Sequence, residues 1–178
     1  QVYLNGKKVG EWAYGYSYFY FDVSQFIQEG ANTVAVKLSN KEFASRWYPG
    51  AGLYRKVSVI IKNNESIDQW GQFITTPFIS DAVAKVNIKT KASGENTRLV
   101  TTIFDAEGHK VSAEESSLRF GKEFDQNLKV ENPKLWSPET PYLYKAVAQL
   151  YVGNELKDEV ATRFGIREIK YEANKGFS

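Results

Sequence analysis

The apolar residues of this chain recur with the period of β-strands. No segment sustains a helical repeat for more than two turns, and short alternating runs follow one another with turn-forming residues between them. Val34, Val36 and Leu38, for example, share one face of an extended segment, because successive side chains of a strand point to opposite faces. Many short strands separated by turns are typical of antiparallel sandwiches. The sequence therefore predicts an all-β fold.

The first part of the chain is predicted to form a hairpin, three strands and one helical turn. Asn5 and Gly6 lie between apolar runs, and this pair favours a type I′ turn, in which both central residues have positive φ. The other predicted elements are an aromatic strand over residues 18–21, a helical turn over 22–27, and strands over 33–38 and 56–62. Asp22 or Ser24 is expected to cap the helical turn.

The remainder of the chain is predicted to be a sandwich of short strands. These strands cover residues 83–91, 99–104, 120–130, 144–152 and 156–164, with a further strand that begins at Val111. A polar segment, residues 62–66, precedes this array. Because domain boundaries fall in exposed polar linkers, we place a boundary between residues 62 and 68.

One loop between two predicted strands is rich in aromatic and guanidinium groups. Residues 45–55 contain a proline and two glycines, which forbid continuous regular structure. Arg46, Trp47 and Tyr48 lie in this loop, and we interpret them as binding residues, because loop side chains are less often part of a core. A second aromatic series has the i, i+2 spacing of a strand: Trp12, Tyr14, Tyr16 and Tyr18. We interpret it as the inward face of a strand, with stacking on a sugar as the alternative.

The sequence offers no catalytic constellation. A glycosidase requires two carboxylates about 5 to 10 Å apart across the scissile bond, and the adjacent Glu114 and Glu115 point to opposite faces of an extended segment. His109 is the sole histidine and follows a turn, so it is expected to be solvated. The absence of cysteine and of a second histidine excludes a thiolate nucleophile and a transition-metal site. We predict no catalytic residue, no metal and no cofactor in this sequence.

Charge and hydropathy argue against two classes of partner. The 23 Lys and Arg and the 21 Asp and Glu are scattered, so the chain has no basic stripe for nucleic acid. No run of about 18 apolar residues predicts a transmembrane helix. The 11 Tyr, 11 Phe and 4 Trp suit both strands and carbohydrate-binding surfaces. We expect neither a nucleic acid nor a membrane as partner.

Six motifs follow one another in the order found in a known family. Those of the first half are Leu4-Asn5-Gly6, the run from Gly15-Tyr16 to Asp22-Val23-Ser24, Gly30-Ala31-Asn32-Thr33-Val34, and the loop of residues 46–55. They resemble the sugar-binding jelly-roll domain of glycoside hydrolase family 2. In the second half, residues 132–144 and 164–167 resemble signatures of the immunoglobulin-like domain of that family. The sequence of residues 46–52 is most similar to β-galactosidases from gut Bacteroidetes.

The resemblance implies a partial jelly-roll sandwich followed by an immunoglobulin-like β-sandwich. Residues 1–64 would form the C-terminal part of the jelly roll, residues 65–169 the immunoglobulin-like sandwich, and residues 170–178 a linker to a TIM-barrel catalytic domain outside this sequence. The two catalytic glutamates of a retaining glycosidase would belong to that barrel, so this part of the chain is predicted to be inactive. Arg46, Trp47 and Tyr48 would line the substrate pocket, with Arg46 bonding a sugar hydroxyl.

The activity implied by the resemblance is hydrolysis of terminal β-galactosides in carbohydrate metabolism, in a periplasmic or secreted protein. A β-glucuronidase or β-mannosidase, a stand-alone carbohydrate-binding or adhesion module, and a structural spacer remain as alternatives. Both ends are expected to continue into a longer protein, because the chain begins at Gln1 in a strand-like run and ends at Ser178 without a terminating signal. An incomplete jelly roll leaves strands unpaired, which predicts either coverage by the second domain or self-association into a homo-oligomer.

Overall fold

A computed structural model describes residues 1–39, 50–169, 171–174 and 176–177 of the chain. These residues form twelve β-strands and one 3-10 turn, Ser24–Phe26, and they contain no α-helix. The strands are β1 (Val2–Leu4), β2 (Lys7–Gly10), β3 (Val34–Val36), β4 (Ile67–Ile79), β5 (Val83–Ala92), β6 (Thr97–Phe104), β7 (Lys110–Leu118), β8 (Glu123–Glu131), β9 (Tyr144–Val152), β10 (Glu155–Phe164), β11 (Tyr171–Glu172) and β12 (Gly176–Phe177). All of their pairings are antiparallel, and the all-β prediction is confirmed.

The backbone divides into two compact units, residues 1–59 and 60–178. The first unit contains one sheet with the strand order β2-β1-β3. Asn5, with φ of 51°, and Gly6, with φ of 79°, connect β1 to β2, and positive φ at both positions is what a type I′ turn requires. The hairpin predicted from this pair is therefore confirmed.

Two asparagine side chains connect the turns of the first unit. The Asn5 amide donates to the Asn32 side-chain oxygen at 2.8 Å, and its own oxygen accepts a bond from the Thr33 backbone N–H at 2.9 Å. Asn32 also accepts a bond from the Gln28 backbone N–H and donates to the Gln28 carbonyl oxygen. These bonds satisfy backbone groups that no sheet partner reaches, so side-chain amides hold the loops of this unit in place.

The helical turn predicted over residues 22–27 is present as the 3-10 turn Ser24–Phe26. Asp22 Oδ1 accepts hydrogen bonds from the backbone N–H of Ser24 at 2.8 Å and from its hydroxyl at 2.6 Å. The bonds from the Ser24 hydroxyl and backbone stabilise the ionised carboxylate and lower the pKa of Asp22. The capping prediction is wrong, because Val23 occupies the N-cap position and the turn has no side-chain cap bond. Asp22 instead binds Ser24, the first residue of the turn.

Two strands predicted in the first part of the chain are not strands. Residues 18–21 and 56–62 have no sheet partner among the described residues. Val57 and Val59 of the second segment are 70% and 74% exposed. An alternating pattern becomes a strand only where a neighbour supplies hydrogen bonds and a surface to bury against. The periodicity of these segments was therefore insufficient to make them strands.

The second unit contains a sandwich of two sheets, with the strand orders β4-β5-β8 and β10-β9-β6-β7, and a separate two-stranded sheet, β11-β12. Alternate side chains of these strands point into the space between the sheets and are buried: Ala84, Val86, Ile88, Ile103, Leu128, Val130, Tyr144 and Ala146. This arrangement is the immunoglobulin-like sandwich that was predicted. Residues 144–152 match their predicted bounds, whereas β8 begins at Glu123 rather than at Phe120.

Sequence periodicity missed β4, the longest strand. Its alternation is interrupted by Trp70, with φ of 55°, and by shifts of register against β5 between Ile67 and Gln72. A Cβ at Gly71 would lie 2.8 Å from the carbonyl oxygens of Asp68 and Lys91, so only glycine fits this close approach. Such irregularity shifts the side chains relative to the two faces, and the period of two disappears from the sequence.

A buried glutamine joins the two sheets of the sandwich. Gln126 of β8 is fully buried, and its side-chain oxygen accepts a hydrogen bond from the Thr101 hydroxyl of β6 at 2.5 Å. Its amide donates to the carbonyl oxygens of Leu99 at 3.3 Å and Glu114 at 3.2 Å. Because buried amides are costly without partners, this set of bonds fixes the position of β8 over the other sheet.

The segment before β4 is held by Asp158 of β10. The Asp158 carboxylate accepts hydrogen bonds from the Ile67 backbone N–H at 2.9 Å and from Lys62 Nζ at 3.3 Å. The Asn63 amide donates to the Lys157 carbonyl oxygen at 2.7 Å. Lys62 and Asn63 of the polar stretch, which lies within the second unit, are thus each hydrogen-bonded to β10.

Candidate functional site

The residues predicted to bind substrate lie outside the described part of the chain. Arg46, Trp47 and Tyr48 belong to residues 40–49, so their role stays a prediction. The following part of the same loop is described: Tyr54 is 65% exposed, and the Arg55 guanidinium lies 5.5 Å from its ring centroid. An exposed ring beside five guanidinium donors is chemically suited to a polyol, since the ring offers an apolar face and the donors reach hydroxyls.

The aromatic series interpreted as an inward strand face lies on the surface. Its members, Trp12, Tyr14, Tyr16 and Tyr18, are 48%, 62%, 61% and 72% exposed, and none belongs to a strand. Trp12 stacks on Phe19 with 6.0 Å between ring centroids and donates from Nε1 to the Ser17 hydroxyl at 2.9 Å. The inward-face interpretation is therefore wrong, because this segment packs ring on ring along an irregular path instead of extending against a sheet.

Glu114 and Glu115 point to opposite sides of β7, as predicted. Glu114 Oε2 accepts a hydrogen bond from the Asn127 backbone N–H of β8 at 2.8 Å, and Glu115 Oε2 accepts one from Arg98 of β6 at 3.1 Å. The Glu114 carboxylate thereby accepts a hydrogen bond from a backbone N–H at the edge of the other sheet. Two carboxylates that face different neighbours cannot flank one glycosidic bond, so this pair is structural.

Asp105 and Glu107 lie close together in the turn between β6 and β7. Burial alone would raise the pKa of Asp105, but hydrogen bonds from the His109 backbone and side chain outweigh that effect and lower it. The Tyr142 hydroxyl donates to Glu107 at 2.8 Å and, with the charge of Lys134, lowers the pKa of Glu107. Carboxyl groups with lowered pKa are ionised at neutral pH, so neither can act as a general acid. The His109 side chain is 78% exposed, as expected.

Neither a metal-binding cluster nor a membrane-spanning helix occurs within the described ranges. No group of three or more His, Asp or Glu side chains there is arranged to hold a metal ion. The same part of the chain contains no helix with the length and hydropathy needed to cross a bilayer.

Two of the motifs from the second half of the sequence meet at an open cleft of the sandwich. The backbone N–H of Trp136 donates to the Ile166 carbonyl oxygen at 2.8 Å, and the Arg167 guanidinium lies 5.2 Å from the Trp136 ring centroid. A Cβ at Gly165 would come within 2.8 Å of the Trp136 side chain, so glycine is required there. The cleft has a volume of about 440 Å³, and Ile74 and other residues of β4 form its opposite wall.

The polar groups of this cleft are largely paired. The Thr76 hydroxyl donates to the Arg167 carbonyl oxygen at 3.0 Å, and the Arg167 side chain covers the Trp136 ring. The cleft therefore joins β4 to the segment after β10, and its described lining holds no unpaired acid or base in position for chemistry. The sequence contained both motifs, but their contact was not predicted, because one wall belongs to the strand that periodicity missed.

The sandwich that contains the two cleft motifs matches a known protein family. The model of the glycosyl hydrolases family 2 matches residues 67–167, from the first residue of β4 to Arg167 of the cleft. This match covers more than half of the chain. The chain belongs to glycosyl hydrolase family 2.

Curated proteins and a solved structure match the chain over 99 to 100% of its length. It is 34% identical over 189 residues to β-galactosidase BoGH2A from Bacteroides ovatus, covering 100% of this chain and 22% of that protein. It is 26% identical to a β-glucuronidase from Formosa agariphila, with 99% of this chain and 21% of that protein covered. A solved family 2 structure from Bacteroides cellulosilyticus superimposes with a TM-score of 0.90 at 31% identity, covering 99% of this chain and 24% of the other. The chain thus spans about a fifth to a quarter of the length of these relatives.

Proposed function

We propose that the chain is a non-catalytic part of a retaining family 2 β-galactosidase, which hydrolyses terminal β-galactosides in carbohydrate metabolism. The observation that carries this proposal is the 34% identity to β-galactosidase BoGH2A over the entire chain. The described acids support the non-catalytic role, because Glu114, Glu115, Asp105 and Glu107 are each engaged with other residues. Hydrogen bonds also lower the pKa of Asp105 and Glu107, whereas a general acid needs a raised one.

In the proposed arrangement, residues 1–64 belong to a jelly roll, residues 65–169 form the immunoglobulin-like sandwich, and residues 170–178 lead to a TIM barrel of the same protein. Arg46, Trp47 and Tyr48 would form one wall of the substrate pocket beside that barrel. The exposed ring of Tyr54 next to Arg55 supports a sugar-facing role for this loop. The exposed Val57 and Val59 support coverage by further chain or by a second copy, since unpaired apolar segments favour association.

The non-catalytic role is tested by incubating the purified 178-residue chain with a chromogenic β-galactoside. We expect no release of the chromophore above that of the heat-denatured chain. Turnover that scales with the concentration of the folded chain would overturn the proposal.

The substrate class is tested on the whole protein that contains this chain. We expect hydrolysis of a p-nitrophenyl β-galactoside with a kcat/KM at least about tenfold above that of the matching β-glucuronide, since a site that pairs with one substituent discriminates strongly against the other. Retention of configuration, followed by proton NMR of the first product, checks the double-displacement mechanism.

A β-glucuronidase is the second candidate, and the identity to the Formosa agariphila β-glucuronidase favours it. The two candidates differ in the group at C6 of the sugar, a hydroxymethyl or a carboxylate. The same pair of substrates therefore separates them: preferential hydrolysis of the β-glucuronide would replace the first candidate by the second.

A further inference from the structure

The outer face of the β4-β5-β8 sheet carries side chains in cross-strand rows. In one row, Lys91 of β5 lies opposite Glu123 of β8. Three further rows extend across all three strands: Phe73–Lys89–Asp125, Thr75–Asn87–Asn127 and Phe78–Lys85–Lys129. Successive rows are two residues apart on β5, which corresponds to about 7 Å. Four neighbouring rows therefore form one continuous surface of rings, amides and charges, opposite to the face that packs in the core.

The charges of this face balance in two rows and not in the last one. Lys91 faces Glu123, and Lys89 Nζ lies 3.8 Å from Asp125 Oδ2. Lys85 and Lys129, in contrast, are directly opposite each other, and like charges in that position destabilise a sheet. Neither forms an ion pair with any carboxylate in the described part of the chain, including Glu131, which lies two residues further along β8. The row therefore has two positive charges that an external anion would neutralise.

The unbalanced lysines have an aromatic ring on one side and an amide row beside them. Phe78 is 47% exposed, with Lys85 Nζ 5.6 Å from its ring centroid. In the adjacent row, the Asn87 amide donates to Asp125 Oδ1 at 2.5 Å and to Asn127 Oδ1 at 3.0 Å. These bonds fix the amide row before any ligand arrives, so little ordering would be needed on binding.

We propose that the Phe78–Lys85–Lys129 row, with Asn87 and Asn127, binds an acidic sugar residue of a glycan chain. The carboxylate of a uronate would lie between Lys85 and Lys129, its pyranose ring would contact Phe78, and its hydroxyls would reach the Asn127 amide. Charge complementarity favours a sugar acid over a neutral sugar, because the latter would leave both lysines unneutralised. The residues of this site all belong to the second unit. The inference rests on family membership and does not depend on the galactoside specificity of the proposed function.

The test is a calorimetric titration of the 178-residue chain with three matched ligands. They are a β-1,4-linked tetraglucuronate, the neutral β-1,4-linked tetraglucose, and tetraglutamate, a chain of four carboxylates without sugar rings. We expect the tetraglucuronate to bind at least about tenfold more tightly than either of the others, since only it offers both carboxylate and ring. Affinity equal to that of tetraglutamate would reduce the site to a non-specific anion surface and overturn the proposal.

Matched variants assign the binding to this row. The double substitution Lys85→Gln with Lys129→Gln is expected to weaken tetraglucuronate binding by about tenfold or more, and Phe78→Leu by several-fold. Lys89→Gln with Lys91→Gln removes the same charge from the same face and is expected to change affinity by less than about threefold. Near-ultraviolet circular dichroism checks that each variant is folded. Equal losses in the two double variants, or no binding of tetraglucuronate by the wild-type chain at about 10 mM, would reject the site.

Discussion

The two units of the molecule use similar strand-forming residues and bury them to very different extents. In residues 60–178, Val86, Ile88, Leu99 and Ile103 are fully buried between two sheets. In the described part of residues 1–59, Leu4 is the sole aliphatic side chain in the buried core, whereas Val57 and Val59 are mostly exposed. An alternating apolar face becomes part of a core only when a second layer packs on it. Periodicity therefore determines which side chains share a face, whereas the burial of that face depends on other segments of the chain.

The largest expected contrast concerns the amide side chains that organise each unit. Gln126→Ala removes the partner of Thr101 and of two carbonyl oxygens in a fully buried position. It should lower the free energy of unfolding of its unit by about 3 to 5 kcal/mol, because truncation leaves both a cavity and unpaired polar groups. Asn32→Ala removes bonds of an exposed amide in the first unit and should cost about 1 kcal/mol. Urea denaturation followed by far-ultraviolet circular dichroism measures both changes in the free energy of unfolding. Comparable losses would contradict the difference in burial between the two units.

A second contrast uses one residue type in both units. Val86→Ala should destabilise the second unit by about 2 to 3 kcal/mol, since two buried methyl groups and the space they fill are lost. Val59→Ala should change the stability by no more than about 0.5 kcal/mol, because its side chain is already in solvent. The same denaturation experiment applies. A cost above 2 kcal/mol for Val59→Ala would mean that residues 56–62 are buried in solution, in a larger sheet or an oligomer.

The acidic groups of the two units should respond to pH in the same direction. Asp22 in the first unit and Glu107 in the second have folded-state pKa values below their ordinary ones, chiefly through bonds from the Ser24 and Tyr142 hydroxyls. A lowered pKa contributes stability above the ordinary pKa, and that contribution is lost as the pH falls through the folded-state value. Ser24→Ala and Tyr142→Phe should each raise the pKa of the corresponding carboxyl. Carboxyl carbon chemical shifts followed by NMR titration measure this, and an unchanged midpoint would show that the hydroxyl is not the cause.

The smallest effect concerns the unbalanced lysine row of the second unit. Lys129→Gln removes one of two like charges opposite each other and should stabilise the chain by about 0.2 to 1 kcal/mol in the absence of ligand. Lys91→Gln removes a lysine opposite Glu123 and should destabilise it slightly. Thermal unfolding at low ionic strength resolves shifts of this size. A loss of stability in Lys129→Gln would show that its charge already has a partner in the folded chain.

The fold was predictable wherever its determinants are local. Asn5 and Gly6 produced the expected type I′ hairpin, because their tolerance of positive φ is a property of the residues themselves. The bounds of β9 and the opposite orientation of Glu114 and Glu115 followed from a period of two along one strand. The absence of a sustained helical repeat similarly determined the all-β class. For the site, the resemblance indicated the motifs of the cleft, but it did not indicate that Trp136 and Arg167 contact each other.

The features that depend on distant residues were decided by the tertiary structure. Whether residues 56–62 form a strand depends on a neighbouring strand, and the described residues provide none. The irregular β4 forms because Gly71 allows the carbonyl oxygens of Asp68 and Lys91 to approach closely, a contact between segments that local alternation does not encode. The like-charged pair of Lys85 and Lys129 arises only from the register of β5 against β8. Sequence alone determined the tight turn at Asn5-Gly6 and the alternation along regular strands such as β9, which are local properties. Pairing, burial and register required the rest of the chain.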